Sequence, residues 1–204
     1  MGLIDNITIT NNDILKGAAM IAYGNLASFP GELETVINPT TYTLNAGLTE
    51  LGGTTEDGVT LTRTAEVGEG ISVDQRLANL RKGDPEDWSM MAEMTFLETD
   101  TAKIAVLWQT PTPETVSGSV VTQKKLSFGA PATFTERQLY IIQEDPSTSR
   151  LRVFAFRKAV PQTDSGMNIQ SNEASGAPTK FEFRQDTTQA EHHGPFGFQF
   201  EETL

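Results

Sequence analysis

The side chains with the most chemical potential are few. Two histidines, His192 and His193, are adjacent, and cysteine is absent. Neighbours on an extended segment point to opposite faces, so the two imidazoles do not converge on one ion, and only Glu191 stands near as a third ligand. Two polar surface histidines are the simpler account. Without cysteine, a thiolate zinc site, a cysteine nucleophile and a disulfide scaffold are all excluded. Gly68 and Gly70 form a G-x-G, but Val73 occupies the third glycine position and no helix is expected to follow, so no dinucleotide fingerprint exists. Acid–base work would fall to carboxylates. Glu56 with Asp57, and Glu86 with Asp87, are turn acids flanked by Gly or Pro. Carboxylates distant in the chain can still meet as a glycosidase-like pair. Such an enzyme needs an aromatic-lined cleft, however, and both tryptophans have core roles. The expectation is a non-enzyme with no cofactor and no metal.

Charge points the same way. The chain of 204 residues carries a formal net charge of −12, unsuited to gripping nucleic acid through clustered Lys and Arg. Acidity either keeps the protein soluble and self-repelling or repels something anionic that stays close without sticking. Lys124–Lys125 and the group Arg150, Arg152, Arg157 and Lys158 form the basic concentration. It is either a solvated strand face or a surface that meets Glu66, Glu69 or Asp74 on a neighbouring copy. Asn6-Ile7-Thr8 matches a glycosylation acceptor by chance, because the start "MGLIDNITIT" has neither a basic region nor a long apolar region and so is not read as a signal peptide. Asn6 also defeats a myristoylation signal, and no apolar run approaches a membrane span.

These residues must be held by strands. With 37% hydrophobic residues, 17 glycines and 10 prolines, the composition is that of a turn-rich globular chain long enough to bury a core. Residues 1–17 read as a polar arm and 18–204 as one β domain. "GAAMIAYG" (17–24) reads as a buried strand. Residues 25–40 read as a loop, and 41–53 as a strand breaking at Gly52-Gly53. "EDG" turns the chain into a strand over 59–67. There Val59, Leu61 and Ala65 alternate with Thr60, Thr62, Thr64 and Glu66, the period of a half-buried strand. The joint "GEG" then leads to Ile71, Val73 and Leu77, suggesting a hairpin with a mobile tip.

Trp88, Met90, Ala92, Met94 and Phe96 occupy every second place in the strongest strand. The period then changes. Ile104, Ala105 and Trp108 predict a helix near 99–109, with Thr99 or Thr101 as N-cap, Asp100 in the first turn, and Pro111 and Pro113 ending it. Further strands follow from 119, a long polar loop spans 161–179, and the tail supplies Phe181 with Phe183, then Phe196, Phe198 and Phe200. Many short strands with one helix mean a mainly β fold, a β-sandwich or barrel with one flanking helix.

The order of pieces resembles a family. "LTELGGTTEDGVTLTRTAEVGEGISVDQ" followed by "PEDWSMMAEMTFLETDTAKIAVLW" is similar to the major tail tube proteins of long-tailed, siphovirus-like bacteriophages. There an "elGaT-dGv-l" stretch precedes a long hairpin ending near an acidic "vDq", and a strand passes into a helix through "lEt". Here those pieces are 50–54, 58–61, 73–75 and 97–99. The likeness covers roughly residues 17–109, and the closing "FGFQF" resembles the family's final strand, whereas 110–180 matches less clearly.

The resemblance implies a virion protein assembled in the host cytoplasm, forming stacked hexameric rings whose sheets join into one barrel around a channel. DNA passes that channel without specific binding. Partners would be further copies and other tail proteins, with no membrane, cofactor or catalytic residue. On this reading the small hydroxyls of Thr60, Thr62 and Thr64, with Glu66, suit the wall of a wet, acidic lumen. Val67, Gly68, Glu69, Gly70, Ile71 and Asp74, with Lys124, Lys125 and Arg152, become candidates for contacts between subunits or rings. The alternative is a virion decoration or fibre-type binding module.

Overall fold

In the computed structural model, the described residues are 19–67, 71–73, 76–81, 85–97, 100–118, 120–129, 135–144, 150–162, 176–189 and 194–202. The arm 1–17, both histidines, Gly68, Glu69, Gly70, Asp74 and most of the 161–179 loop lie outside them. The chain is mainly β, with a closed six-stranded barrel and one helix.

Six strands make the barrel: β1 (Ala19–Gly24), β2 (Leu48–Val67), β5 (Pro85–Phe96), β8 (Arg137–Glu144), β9 (Leu151–Pro161) and β10 (Ala177–Phe183). They run in the order β10-β5-β2-β1-β8-β9, every neighbouring pair is antiparallel, and β9 returns to β10 to close the ring. Closure within one chain abolishes the edges of these strands where they pair on both sides. A further strand, β11 (Gly197–Glu201), adds to the outside of β9, and its far edge is unpaired among the described residues.

Alternation decides what fills the interior. Ala92, Met94 and Phe96 from β5 are buried with Ile21, Tyr23, Leu139, Ile141, Phe156, Phe181 and Phe183. The rings of Phe156 and Phe183 stack with centroids 3.7 Å apart. At Arg157-Lys158 two β9 residues oppose Gln138 alone, because Arg137 pairs with Ala159 and Leu139 with Phe156. This bulge resets the phase, so Phe156 and Ala159 both face inward. A second core explains the unbroken apolar run of β1. Ala22, Tyr140, Ile142, Val153 and Ala155 point outward and are covered by Val36, Ile37 and Leu48, with Phe29, Leu33 and Phe200 packed against them. Strands buried on both faces read as continuous hydrophobic stretches.

Three expectations are corrected. The strand expected to break at Gly52-Gly53 continues through them as β2, and it begins only at Leu48. Ile21 pairs with Gly52 and Ala22 with Glu50, so the chain bulges at Leu51, and Gly52 supplies the positive φ of 113°. The segment 41–47 is not a strand, and Tyr42 sits at φ 55°. The "EDG" segment is likewise a bulge within β2, since Thr54 pairs with Phe96 and Val59 with Met94.

The expected hairpin partner of 59–67 is also different. Val59 to Val67 pair with β5, ending at Val67 opposite Pro85. Ile71 belongs to a separate two-stranded ribbon of β3 (Ile71–Val73) and β4 (Arg76–Arg81). The β2 and β5 alternations match over a long register, which two short strands beyond "GEG" cannot equal.

The helix α1 (Thr101–Leu107) is capped by Asp100, not by a threonine: its carboxylate accepts from the amides of Ala102 at 2.8 Å and Lys103 at 3.2 Å. A carboxylate satisfies two orphan amides and meets the positive helix end. Ile104, Ala105 and Leu107 are buried, and Trp108 packs against the barrel core.

The two core tyrosines make stability sensitive to alkali. Burial pushes the Tyr23 phenol up to about 12, opposed by the nearby Arg137 guanidinium. Burial also raises Tyr140, opposed by Arg157. Below pH 10 both phenols keep their protons in either state, so this stability is fully present. Between about pH 10 and 12 the unfolded chain ionises first, and folding should lose about 1.4 kcal/mol per pH unit for each tyrosine. Urea midpoints measured across that window should fall steeply, and Tyr23→Phe or Tyr140→Phe should flatten the slope.

Candidate assembly faces

Where β2, β5 and β10 lie side by side, their outward positions form rows set by register. Thr60 lies opposite Glu93, which lies opposite Lys180. Thr62 lies opposite Met91, which lies opposite Glu182. Thr64 lies opposite Ser89. Thr60, Thr62, Thr64, Ser89 and Glu93 are exposed, and Met91, Lys180 and Glu182 are half-buried. The other face of the same strands carries Val59, Leu61 and Met90 packed on the barrel core. The threonine face is therefore an even, wetted surface on a rigid wall.

Its electrostatics are balanced rather than strongly acidic among the described side chains. Lys180 Nζ lies 3.0 Å from Glu93, and Arg184, just past β10, lies 3.0 Å from Glu136 and 3.6 Å from Glu182. These pairs are half-exposed and add little stability, but each cation is already matched by carboxylate, leaving little to hold a phosphate. Glu66 pairs in register with Asp87.

From Val59 onward β2 pairs with β5 alone among the described residues, having left β1 at Gly53. β10 leaves β5 at Met90, so 64–67 and 85–89 run on as a ribbon beyond the barrel. On its inward-phased side the Arg63 guanidinium lies 4.0 Å from the Trp88 ring centroid, a contact worth about 0.5–1 kcal/mol at an exposed site. A two-stranded ribbon of this kind presents unpaired backbone groups that another strand can complete.

The basic residues of β9 and its start find partners in their own chain. Arg150 and Arg152 both donate to Glu201 Oε1, at 3.0 and 2.9 Å. Arg150 Nε also donates to the Glu202 carbonyl. Lys158 lies 3.5 Å from Asp186, and Arg157 lies over the rings of Phe29 at 4.1 Å and Phe198 at 5.2 Å. The contacts to Glu201, Glu202 and Phe198 clamp β11 to β9, across about forty to fifty residues of sequence, which linear reading did not anticipate. Arg152 Nε is buried with no acceptor among the described residues. Lys124 and Lys125 are instead exposed on a small separate hairpin, β6 (Glu114–Ser117) with β7 (Thr122–Lys125).

A cleft of about 420 Å³ lies between α1 and the starts of β2 and β8. Leu51, Ala105, Val106 and Pro113 contribute its apolar walls, and Glu50, Asp100, Lys103 and Arg137 its charges. Among the described residues no cluster of His, Asp or Glu could hold a metal ion, and no helix is long and apolar enough to cross a membrane. No protein-family model matches the chain, and no curated protein matches it.

Proposed function

We propose that this chain is a structural virion subunit that assembles into stacked hexameric rings, the tail tube of a long-tailed bacteriophage, through which DNA passes without being held. The observation that carries this reading is the outward face of β2, β5 and β10, where exposed Thr60, Thr62, Thr64 and Ser89 alternate with a barrel-packed face. Short hydroxyls keep water at a wall without reaching into a bore, and matched charges leave passing phosphates nothing to grip. The outer edges of β11 and of β2 beyond Gly53, unpaired among the described residues, add a means for sheets to join between copies. In this reading Thr60, Thr62, Thr64 and Glu66 line the channel. The 67–74 segment, with Lys124 and Lys125, meets neighbours, whereas Arg152 is taken by Glu201 of its own chain, and no residue is catalytic.

Negative-stain microscopy of concentrated protein tests it: rings or hollow filaments are expected, and a monodisperse monomer at every concentration overturns it. A variant lacking residues 67–74 should remain folded, with an unchanged far-ultraviolet spectrum, yet form no filaments. Normal tubes from that variant would remove the ribbon from the interface. The second reading, a decoration or fibre-type module, draws on the exposed apolar hairpin tip at Val120 and Val121, and would show itself as a persistent monomer binding another virion protein.

A further inference from the structure

Two paired strands of the same phase are buried unequally. Met94 and Ala92 of β5 are buried, whereas their ladder partners Val59 and Leu61 of β2 are half-buried, although they pack on the same core. At these positions β5 has β10 on its other side, and β2 has no second neighbour among the described residues. The edge of β2 from Val59 to Val67 thus presents unpaired backbone groups beside a strip of apolar surface. The bulge before it does not obstruct that edge. β5 passes 55–58 with the single residue Thr95, since Thr54 pairs with Phe96 and Val59 with Met94. Thr55, Asp57 and Gly58 line a hollow with Thr95, Thr179 and Lys180, so the bulge leans over β5 and β10, away from the edge.

The chain itself leads onto this edge. β1 runs antiparallel to β2, Met20 pairs with Gly53, and the Ala19 amide donates to Thr54 Oγ1 at 3.3 Å. Traced back from Ala19, the preceding segment therefore heads along β2 toward Val67, antiparallel to it, as a ladder partner can. That segment, "NITITNNDILKGA" (6–18), is long enough to span 59–67. It includes the β-branched residues Ile7, Thr8, Ile9, Thr10 and Ile14, which favour a strand. Attachment at Ala19 gives it an effective concentration on the order of mM at the edge, which a separate copy in dilute solution does not match. The phase is set as well. Ala19, Ile21 and Tyr23 belong to the interior core, so strand alternation puts Gly17, Leu15 and Asp13 in the same phase. With one residue passing the bulge, as Thr95 does on β5, Gly17 falls opposite Val59, Leu15 opposite Leu61 and Asp13 opposite Arg63.

We propose that the segment before Ala19 continues β1 as the outer neighbour of β2 in the same chain, with Leu15 on Leu61 and Asp13 on Arg63. The leucine pair covers the apolar strip, and the aspartate meets a guanidinium that lies over Trp88. The arm makes 59–67 an inner strand, so the edge offered to another copy moves from β2 to the arm. The contact lies within one chain and does not rest on the self-assembly reading.

Amide exchange of the full-length protein, at a concentration low enough to keep it monomeric, reads the edge directly. In an antiparallel ladder alternate amides of 60–66 point to β5, and the rest point to the edge. Both sets should be protected. Leu15→Asp should speed exchange of the edge-facing set at least about tenfold and leave the set bonded to β5 unchanged. Because the chain contains no cysteine, paired thiols fix the register. Opposed Cα atoms about 4.5–5.5 Å apart suit a disulfide, so Leu15→Cys with Leu61→Cys should give a bridged monomer on mild oxidation. Leu15→Cys with Thr62→Cys, on opposite faces, should not bridge. Edge-facing amides that exchange freely in the wild type overturn the proposal. A bridge between positions 15 and 61 that forms only between chains overturns it too, and gives the edge to a neighbour's arm. Protected amides with no bridge overturn the register. Each of these results leaves the self-assembly reading standing.

Discussion

Phe181→Ala should cost the fold about 3–5 kcal/mol, the range for truncating a fully enclosed aromatic side chain. Phe181 is 0% exposed and sits where the barrel closes, opposite Ala92 of β5 on one side and Pro161 of β9 on the other. β10 is held to β5 by seven residue pairs but to β9 by only three. Closure therefore leans on side chains: the Phe181 ring against Tyr23, with centroids 6.2 Å apart, and the Phe183 ring stacked on Phe156. A domain's whole stability is about 5–15 kcal/mol, so the variant should lose a large part of it. Phe200→Ala, on β11 and only partly buried, should lose less than half as much. Urea midpoints with unchanged slopes would record both. A loss below about 1 kcal/mol at Phe181 would mean that the barrel does not depend on β10 for its closure.

That dependence shows which parts of the fold a linear reading can reach. Trp88, Met90, Ala92, Met94 and Phe96 alternate without a break, and the last three are buried, because a strand with one wet face must repeat every two residues. The helix is equally visible, since Ile104, Ala105 and Trp108 repeat with its own turn. Its cap was misplaced by one residue because Thr99, Asp100 and Thr101 all satisfy the same local preference, and only geometry selects the carboxylate.

Pairings decided at a distance were not legible. The bulges at Leu51 and before Val59 are read as breaks in sequence, since glycine signals either a turn or a bulge, and only the neighbouring strands distinguish them. Arg150 and Arg152 appeared as part of a basic cluster because Glu201, which takes both, lies some fifty residues away. The threonine face was found from its period. Its charge balance was not, since Lys180 meets Glu93 only through the β5–β10 register. The cleft beside α1 is built from segments that nothing in the linear order connects.

Replacing Thr60, Thr62 and Thr64 together by lysine should turn the assembled protein from indifferent to DNA into a binder. All three are exposed, so the substitutions fall in the class of surface changes worth within about 0.5 kcal/mol each, and the barrel should persist. The three sites lie on one face at alternate positions of one strand, so each copy adds a short row of positive charge where the described side chains now balance. If that face lines a bore, rings repeat the row around the passing strand. A site making about six to ten phosphate contacts loses about 10³–10⁵ in affinity between 50 and 200 mM salt.

Short duplex DNA should accordingly stay with variant tubes at low salt, leave at moderate salt, and be protected from nuclease while bound. Wild-type tubes should retain none. Lysines at Thr122 and Gln123, exposed on the separate β7 strand, serve as the control and should capture DNA without protecting it. Capture by the triple variant that is equally strong in monomers and tubes, with the DNA fully open to nuclease, would place the threonine face on the outside and remove its role as a channel wall.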